Sequence, residues 1–185
     1  MKNMTRLNFI AVSILVLLVS GAWIYISAPD QNQMQVSQEA PSVGFIAPDF
    51  ELETMQGETI HLADLRGKAI IINLWASWCG PCRAEMPAMQ TVFEKYADED
   101  FTILAVNATN QDDISSARAF ASELSLSYPI LLDVDGIVSD LYNLRALPTT
   151  FFINPEGQIE EVIIGGPMAE ALLEIRAQNL IGMLP

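Results

Sequence analysis

The chain has 185 residues, of which 51% are apolar, enough for one domain with a substantial core and a small additional segment. Nine lysines and arginines stand against 23 acidic residues, so the formal net charge is −14. A nucleic-acid-binding protein needs a basic surface to neutralise phosphates, and this charge excludes that class.

The N-terminal region contains an apolar segment, Leu7 to Ile26, without a charged residue. At about 1.5 Å per residue, a helix of this length is about 30 Å long and matches the hydrocarbon core of a bilayer. Lys2 and Arg6 precede the segment, and no basic residue follows it before Arg66. The positive-inside rule therefore predicts a cytoplasmic N-terminus and an exported remainder.

A cleaved signal peptide would export the same domain, but this apolar run is longer than the roughly 7 to 15 residues typical of such peptides. We therefore predict an uncleaved signal-anchor helix at residues 1–27, in the cell membrane. Residues 28–42 are rich in Gln, Ser and Pro and predict a flexible linker. Residues 43–185 form the predicted catalytic domain, extracytoplasmic and expected to be monomeric.

Strand and helix patterns alternate through this domain. The predicted strands are Pro48–Met55, Thr59–Leu62, Ala69–Trp75, Phe101–Asn107, Pro129–Leu132, Thr149–Asn154 and Gln158–Ile164. The predicted helices are Cys79–Ala97, Ile114–Leu124, Ile137–Asn143 and Met168–Leu180. The first two and the last two strands are joined by short turns and predict hairpins. The order predicts an α/β fold with a mostly parallel central sheet, helices on both faces and an added N-terminal hairpin.

The only two cysteines, Cys79 and Cys82, lie in the stretch WASWCGPC. A structural zinc site usually needs four Cys or His ligands, and the one histidine, His61, belongs to a different element and is expected at the surface. No metal is therefore expected. A structural disulfide is the stronger alternative in an exported domain, but closing a four-residue loop constrains the unfolded chain little.

The position of the cysteines favours a reactive pair instead. Cys79 falls where a buried strand ends and a helix begins, and the unpaired N–H groups there stabilise a thiolate and lower its pKa. Cys82 follows three residues later, less than one helical turn away and more buried. From there it can attack a mixed disulfide on Cys79 and release the partner.

WASWCGPC after a buried strand resembles the active-site sequence of the thioredoxin fold. The wider pattern resembles the membrane-anchored ResA/TlpA-type thiol-disulfide oxidoreductases from about Val43 to the C-terminus. The matching stretches are APDFEL at 47–52, LADLRGK at 62–68, NLWASWCGPCRAEMP at 73–87 and LPTTFFINPEG at 147–157. The N-terminal anchor fits this resemblance.

The resemblance implies that Cys79 is the exposed attacking thiol and Cys82 the resolving thiol. It also implies that the Leu147-Pro148 peptide is cis and presents the Leu147 backbone to an extended substrate strand. Trp75 and Trp78 are expected to pack around the motif and shield Cys82. The residues expected to contact substrate are Trp78, Gly80, Pro81, Leu147 and Pro148.

Asn73 departs from thioredoxin, which has a buried aspartate at this position. Glu85 matches the glutamate of ResA-type proteins, and we expect it to shuttle the Cys82 proton. The alternative for Glu85 is a solvated acid in the first turns of a helix.

The resemblance implies an enzyme that reduces disulfides in exported proteins, with apocytochrome c as a substrate and a membrane thiol carrier of the CcdA/DsbD type as electron donor. No cofactor is expected beyond the redox-active disulfide itself. The Gly-Pro dipeptide between the cysteines resembles that of the reducing thioredoxins, whose reduction potential is about −270 mV. It is less like the motif of the oxidant DsbA, whose potential is about −120 mV.

Two other functions stay open. APDFEL also occurs in peroxiredoxins, but their P-x-x-x-T-x-x-C setting is not matched, because Ala76 stands three residues before Cys79. A non-catalytic module that binds exported proteins at a sheet edge is the other.

Overall fold

The computed structural model describes residues 14–20, 23 and 39–184. Residues 14–20 and Trp23 are helical and exposed. Among the described residues, no helix has the length and apolar character needed to cross a membrane. The rest of the anchor predicted at 1–27, and residues 28–38 of the predicted linker, lie outside the described part of the chain.

Residues 39–184 contain a five-stranded sheet in the order β5-β4-β3-β6-β7 and a separate hairpin, β1-β2. The strands are β1 Glu51–Glu53, β2 Thr59–His61, β3 Ala69–Trp75, β4 Phe101–Asn107, β5 Ile130–Leu132, β6 Thr149–Ile153 and β7 Ile159–Ile164. β3 occupies the centre of the sheet, and all seven of its residues are buried. This explains its unbroken apolar sequence, since a strand covered on both faces has no solvent side.

Within residues 39–184, four α-helices cover the sheet. They are α1 Gly80–Lys95, α2 Ile114–Glu123, α3 Ile137–Leu141 and α4 Glu170–Ile181. Because side chains alternate across a strand, Ile71 and Trp75 of β3 join the core formed with α1, α2 and α4. Ile72 and Leu74 point the other way, into a core with α3 and the segment around Phe50.

The sheet is mixed, so the expectation of a mostly parallel sheet holds for β3, β4 and β5 only, while the predicted antiparallel hairpin of the last two strands is confirmed. β3-β4 and β4-β5 are parallel, whereas β3-β6 and β6-β7 are antiparallel. α3, in the connection from β5 to β6, has only five residues, about 7.5 Å of helix, and does not carry the chain back along the sheet as a longer crossover helix would. β6 therefore starts at the edge where β3 ends, with Thr149 opposite Leu74, and runs backwards.

The first predicted strand is also too long. Only Glu51–Glu53 pairs regularly with β2. The preceding residues bind elsewhere in the chain: the Pro48 carbonyl accepts a hydrogen bond from the Tyr142 hydroxyl, and the Asp49 carboxylate accepts one from the Ala63 amide. These long-range contacts replace strand pairing.

Candidate active site

The two cysteines stand where β3 passes into α1. Cys79 has extended backbone angles and is the N-cap of α1, and its Sγ accepts a hydrogen bond from the Cys82 amide at 3.2 Å. The sulfurs form a disulfide of 2.05 Å. Cys79 is 4% exposed and Cys82 is fully buried, so Cys79 is less exposed than expected, but it is the one of the two with any surface open to a partner.

Gly80 and Pro81 form the first turn of α1, and both are exposed. A side chain at Gly80 would meet no atom within 4 Å. Proline fits this turn because its missing N–H would have no helical partner there. The surface at Gly80 is therefore open, and a polypeptide can approach it closely.

The two tryptophans have different environments, which corrects the expectation that both shield Cys82. Trp75 is fully buried, in the same core cluster as Cys82, with its ring 5.8 Å from that of Phe120. Trp78 is 61% exposed. Its indole N–H donates to the Gln111 carbonyl at 2.9 Å, which holds the ring at the surface beside the disulfide.

Asp112 fixes the loop that precedes Cys79. Its carboxylate accepts hydrogen bonds from the amide and hydroxyl of Ser77, both at 2.6 Å, and from the Asn107 side chain at 2.8 Å. Burial by itself would raise the pKa of this carboxyl, but the hydrogen bonds outweigh burial and hold the pKa below its ordinary value. The N-cap of α2 is the next residue, Asp113.

Asp112→Ala should destabilise the protein by about 3 kcal/mol, because it strips partners from the Ser77 amide and the Asn107 side chain. It should also slow disulfide exchange, since the loop before Cys79 loses its anchor. Denaturant unfolding and exchange rates measure the two effects. Asp113→Ala is the matched control: it removes the cap of α2 without touching Ser77. Equal exchange rates for the two variants would contradict the anchoring role.

Glu85 is fully buried, so the alternative of a solvated acid is wrong. One carboxylate oxygen accepts from the Asn73 side-chain amide at 2.9 Å, and the other accepts from the Met168 amide at 3.0 Å. Burial raises the pKa of Glu85, and the two hydrogen bonds oppose that rise. A carboxyl group with a raised pKa can hold or release a proton nearer to neutral pH.

Asn73 is suited to either protonation state of Glu85. Its amide nitrogen also lies 2.9 Å from the Thr150 hydroxyl, whereas its buried oxygen has no hydrogen-bond partner among the described residues. Turning the amide over would offer that oxygen to a protonated Glu85. The Asn73 amide does not titrate, so it cannot relay a proton. It can, however, donate to an ionised Glu85 or accept from a protonated one.

The Leu147-Pro148 peptide is cis. Because Thr149 pairs with Leu74, it lies at the sheet edge from which β3 leads to Cys79. Within residues 39–184 the Leu147 backbone forms no hydrogen bond, so its N–H and C=O are open to a substrate strand. A methyl group at Gly166 would lie 2.8 Å both from Glu85 Oε2 and from Pro148 Cγ. The glycine thus lets this loop close on the buried carboxyl, a contact that no sequence motif signals.

The described residues contain no group of three or more His, Cys, Asp or Glu side chains able to hold a metal ion. His61 is partly exposed and lies 2.6 Å from the Asp49 carboxylate in the β1-β2 region. It is separate from the disulfide, as expected.

Comparison with known proteins agrees with this geometry. The family model described as the AhpC/TSA family matches residues 43–162. The thiol-disulfide oxidoreductase ResA of Bacillus subtilis is 36% identical over 175 residues, 94% of this chain and 92% of that protein. ResA of Oceanobacillus iheyensis is 35% identical over 89% of this chain and 84% of its own length. The crystal structure of a thiol:disulfide interchange protein from Chlorobium tepidum aligns with a TM-score of 0.68 at 27% identity, covering 74% of this chain and 96% of that one.

Proposed function

The chain belongs to the AhpC/TSA family and is a thiol-disulfide oxidoreductase, and we propose that it reduces disulfides of exported proteins. The observation that carries this proposal is the Cys79–Cys82 disulfide at the start of α1, with a small exposed surface left on Cys79 and none on Cys82. This asymmetry suits an attacking thiol followed by a resolving one.

In the proposed reaction the reduced Cys79 thiolate attacks one sulfur of a substrate disulfide. The substrate S–S bond breaks, its other sulfur leaves as a thiolate, and a mixed disulfide forms. The Cys82 thiolate then attacks Cys79 Sγ, which breaks the mixed disulfide and releases the second substrate thiolate. Two electrons have passed to the substrate, and the enzyme is left with its own disulfide closed.

Three groups assist in this proposal. The partial positive charge at the N-terminus of α1 stabilises the Cys79 thiolate. Glu85 takes the proton from Cys82 before the second attack, for which its burial and raised pKa fit it. The open Leu147 backbone pairs with the substrate chain, while Trp78, Gly80, Pro81 and Pro148 complete the contact surface.

The substrates in this proposal include apocytochrome c, and the reducing equivalents come from a membrane thiol carrier of the CcdA/DsbD type. The pair works without a bound cofactor, in a monomer. The likeness of residues 43–185 to the ResA/TlpA-type sequence pattern supports these assignments, and Gly80-Pro81 between the cysteines supports the reducing direction.

The proposal places residues 1–27 in the cell membrane as a signal anchor with its N-terminus in the cytoplasm. Residues 28–42 then form the linker, and residues 43–185 the exported domain. The uncharged apolar segment and the basic residues before it support this topology. A tag placed after Asp30 should be reached by external protease in spheroplasts while the protein stays in the membrane fraction.

A redox titration of the full chain tests the direction. The midpoint potential should lie nearer the thioredoxin value of about −270 mV than the DsbA value of about −120 mV. Mass spectrometry of alkylated samples reports the fraction of Cys79–Cys82 disulfide at each potential. A midpoint potential near that of DsbA, together with a fully oxidised protein in cells, would contradict the proposed direction. The protein would then oxidise thiols of exported proteins.

The peroxidase alternative has one observation in its favour, the match to the AhpC/TSA family model. Against it, Ala76 is buried and apolar where a peroxidase motif has threonine. Peroxide consumption by the reduced protein, measured beside disulfide reduction, separates the two activities. The non-catalytic module is not supported, because the relatives are named as oxidoreductases.

A further inference from the structure

A groove of about 300 Å³ lies between β1 and α3, beyond the edge strand β5. β1 approaches β5 through a single bridge, Thr54 to Leu131, and the two segments then diverge. The groove occupies the gap between them, bounded by residues 49–53 on one side and by 132–135, 137, 138 and 141 on the other. It takes no part in the site described above.

One side of the groove is apolar and exposed. Val134 is 54% exposed, Ile137 63% and Leu141 38%. Ile137 and Leu141 are four residues apart on α3 and therefore share a helix face. Three large apolar side chains grouped on an otherwise charged surface leave apolar area in contact with water that a bound chain would cover.

Acidic residues line both sides of the groove. All five charged residues that line the groove are acids, and none is basic. Two of them are occupied: Asp49 binds His61 and the Ala63 amide, and Asp133 binds the start of α3. Within residues 39–184, the exposed carboxylates of Glu51, Glu53 and Asp135 form no ion pair. A cationic ligand would therefore meet three uncompensated charges.

The groove opens at the same edge of the sheet as the disulfide. Leu132 pairs with Asn107, which pairs with Trp75, so the groove begins two strands, about 10 Å, from the end of β3. The loop that follows β4 lies between the two sites and is held from both directions. Trp78 donates to its Gln111 carbonyl, and its Asn110 amide donates to the Asp133 carbonyl beside the groove. An extended chain with its cysteine at Cys79 would reach the groove within a few residues.

We propose that this groove binds a segment of the substrate polypeptide in which apolar residues alternate with lysine or arginine. The apolar side chains cover Val134, Ile137 and Leu141, and the cationic ones meet Glu51, Glu53 and Asp135. The proposal rests on the proposed function for the source of the peptide, and it names a substrate class: exported chains with a basic, apolar segment near the reactive cysteine.

Direct binding tests the groove without any redox step. The probe is a cysteine-free peptide of alternating leucine and lysine with a neutral dye, titrated against the oxidised full chain in non-ionic detergent. The variant E51Q/E53Q/D135N should weaken binding at least tenfold, and Ile137→Ser should weaken it further. Raising the ionic strength from about 20 to 200 mM should remove most of the difference between wild type and variant, since exposed charges are screened.

The matched control is D98N/E99Q/E156Q, which removes the same charge from exposed positions at the other end of the strands, where β3 and β4 begin. It should change binding less than twofold, and micelle binding of the peptide is common to all variants. Equal losses in the two triple variants would reduce the effect to net charge and overturn the proposal. Two other results would also overturn the proposal. One is that a leucine-glutamate peptide binds the wild type as tightly as the leucine-lysine peptide. The other is that the wild type forms a dimer which the groove variant alone dissociates, because the groove would then bind a second copy of the chain.

Reduction of a small aromatic disulfide, measured for the same three proteins, separates this proposal from the proposed function. Normal reduction together with unchanged peptide binding in the groove variant overturns the groove alone. Loss of reduction in the wild type overturns the proposed function, while peptide binding still decides the groove.

Discussion

Cys82→Ala should arrest the enzyme as a mixed disulfide through Cys79. Without the resolving thiol the first attack still occurs, but the intermediate can leave only by reversal or by attack of an external thiol. Steady-state turnover should fall by about 10³-fold or more. Alanine suits this test, because Cys82 is fully buried and a serine hydroxyl there would need a hydrogen-bond partner. Mass spectrometry after acid quenching identifies the trapped substrate.

Cys79→Ala is the control, and it should trap nothing. The two thiols should also differ in the reduced wild type, where alkylation labels Cys79 first: the helix N-terminus lowers the pKa of its thiol, and burial restricts access to Cys82. Trapping through Cys82, or equal alkylation rates, would reverse the assignment of attacking and resolving thiols.

The central strands could be predicted from the sequence because their information is local. AIIINLW and FTILAVN are continuous apolar runs, and β3 and β4 have the predicted bounds. β1 and the start of α4 differ from prediction because their residues serve distant partners: Pro48 binds Tyr142, and Met168, predicted to open the last helix, gives its amide to Glu85. Met168 and Glu85 are 83 positions apart, and a contact over that distance leaves no periodic pattern in the sequence.

The candidate site divides in the same way. The cysteines and the start of α1 could be read from a strand followed by CGPC, since all of these lie within a few residues. Asp112 could not, because its partner Ser77 is 35 residues away and an Asp before a helix predicts a cap. Gly166 could not either, since only the fold brings Glu85 and Pro148 against it.

Glu85→Gln should alter the pH dependence of stability. Burial raises the pKa of Glu85 above its ordinary value of 4.5, so the folded protein keeps a proton that the unfolded chain has already lost. In the interval between the two pKa values the free energy of unfolding falls with rising pH, by at most about 1.4 kcal/mol per unit from this one group. Glutamine does not titrate, so the variant should gain on wild type from about pH 4.5 upward, until Glu85 is ionised in the folded state.

Denaturant unfolding at a series of pH values measures this gain, and Glu94→Gln, at an exposed acid on the same helix, is the control for the loss of one carboxylate. Disulfide exchange should respond as well. Removing a carboxylate near Cys82 should lower the pKa of its thiol, while the lost proton acceptor slows resolution and lets mixed disulfide accumulate.

The glutamine variant separates the proton role of Glu85 from its structural one. Its amide oxygen can still accept from the Met168 amide, and its NH₂ group can donate to the Asn73 oxygen, which has no partner among the described residues, once that amide turns over. The fold should therefore persist, whereas Glu85→Ala leaves two buried N–H donors bare at about 1 to 3 kcal/mol each. If Glu85→Gln resolves mixed disulfides as fast as wild type and Glu85→Ala does not, the carboxyl serves only to anchor Asn73 and Met168. Slow resolution in both variants, with stability retained in the first, assigns the proton of Cys82 to Glu85.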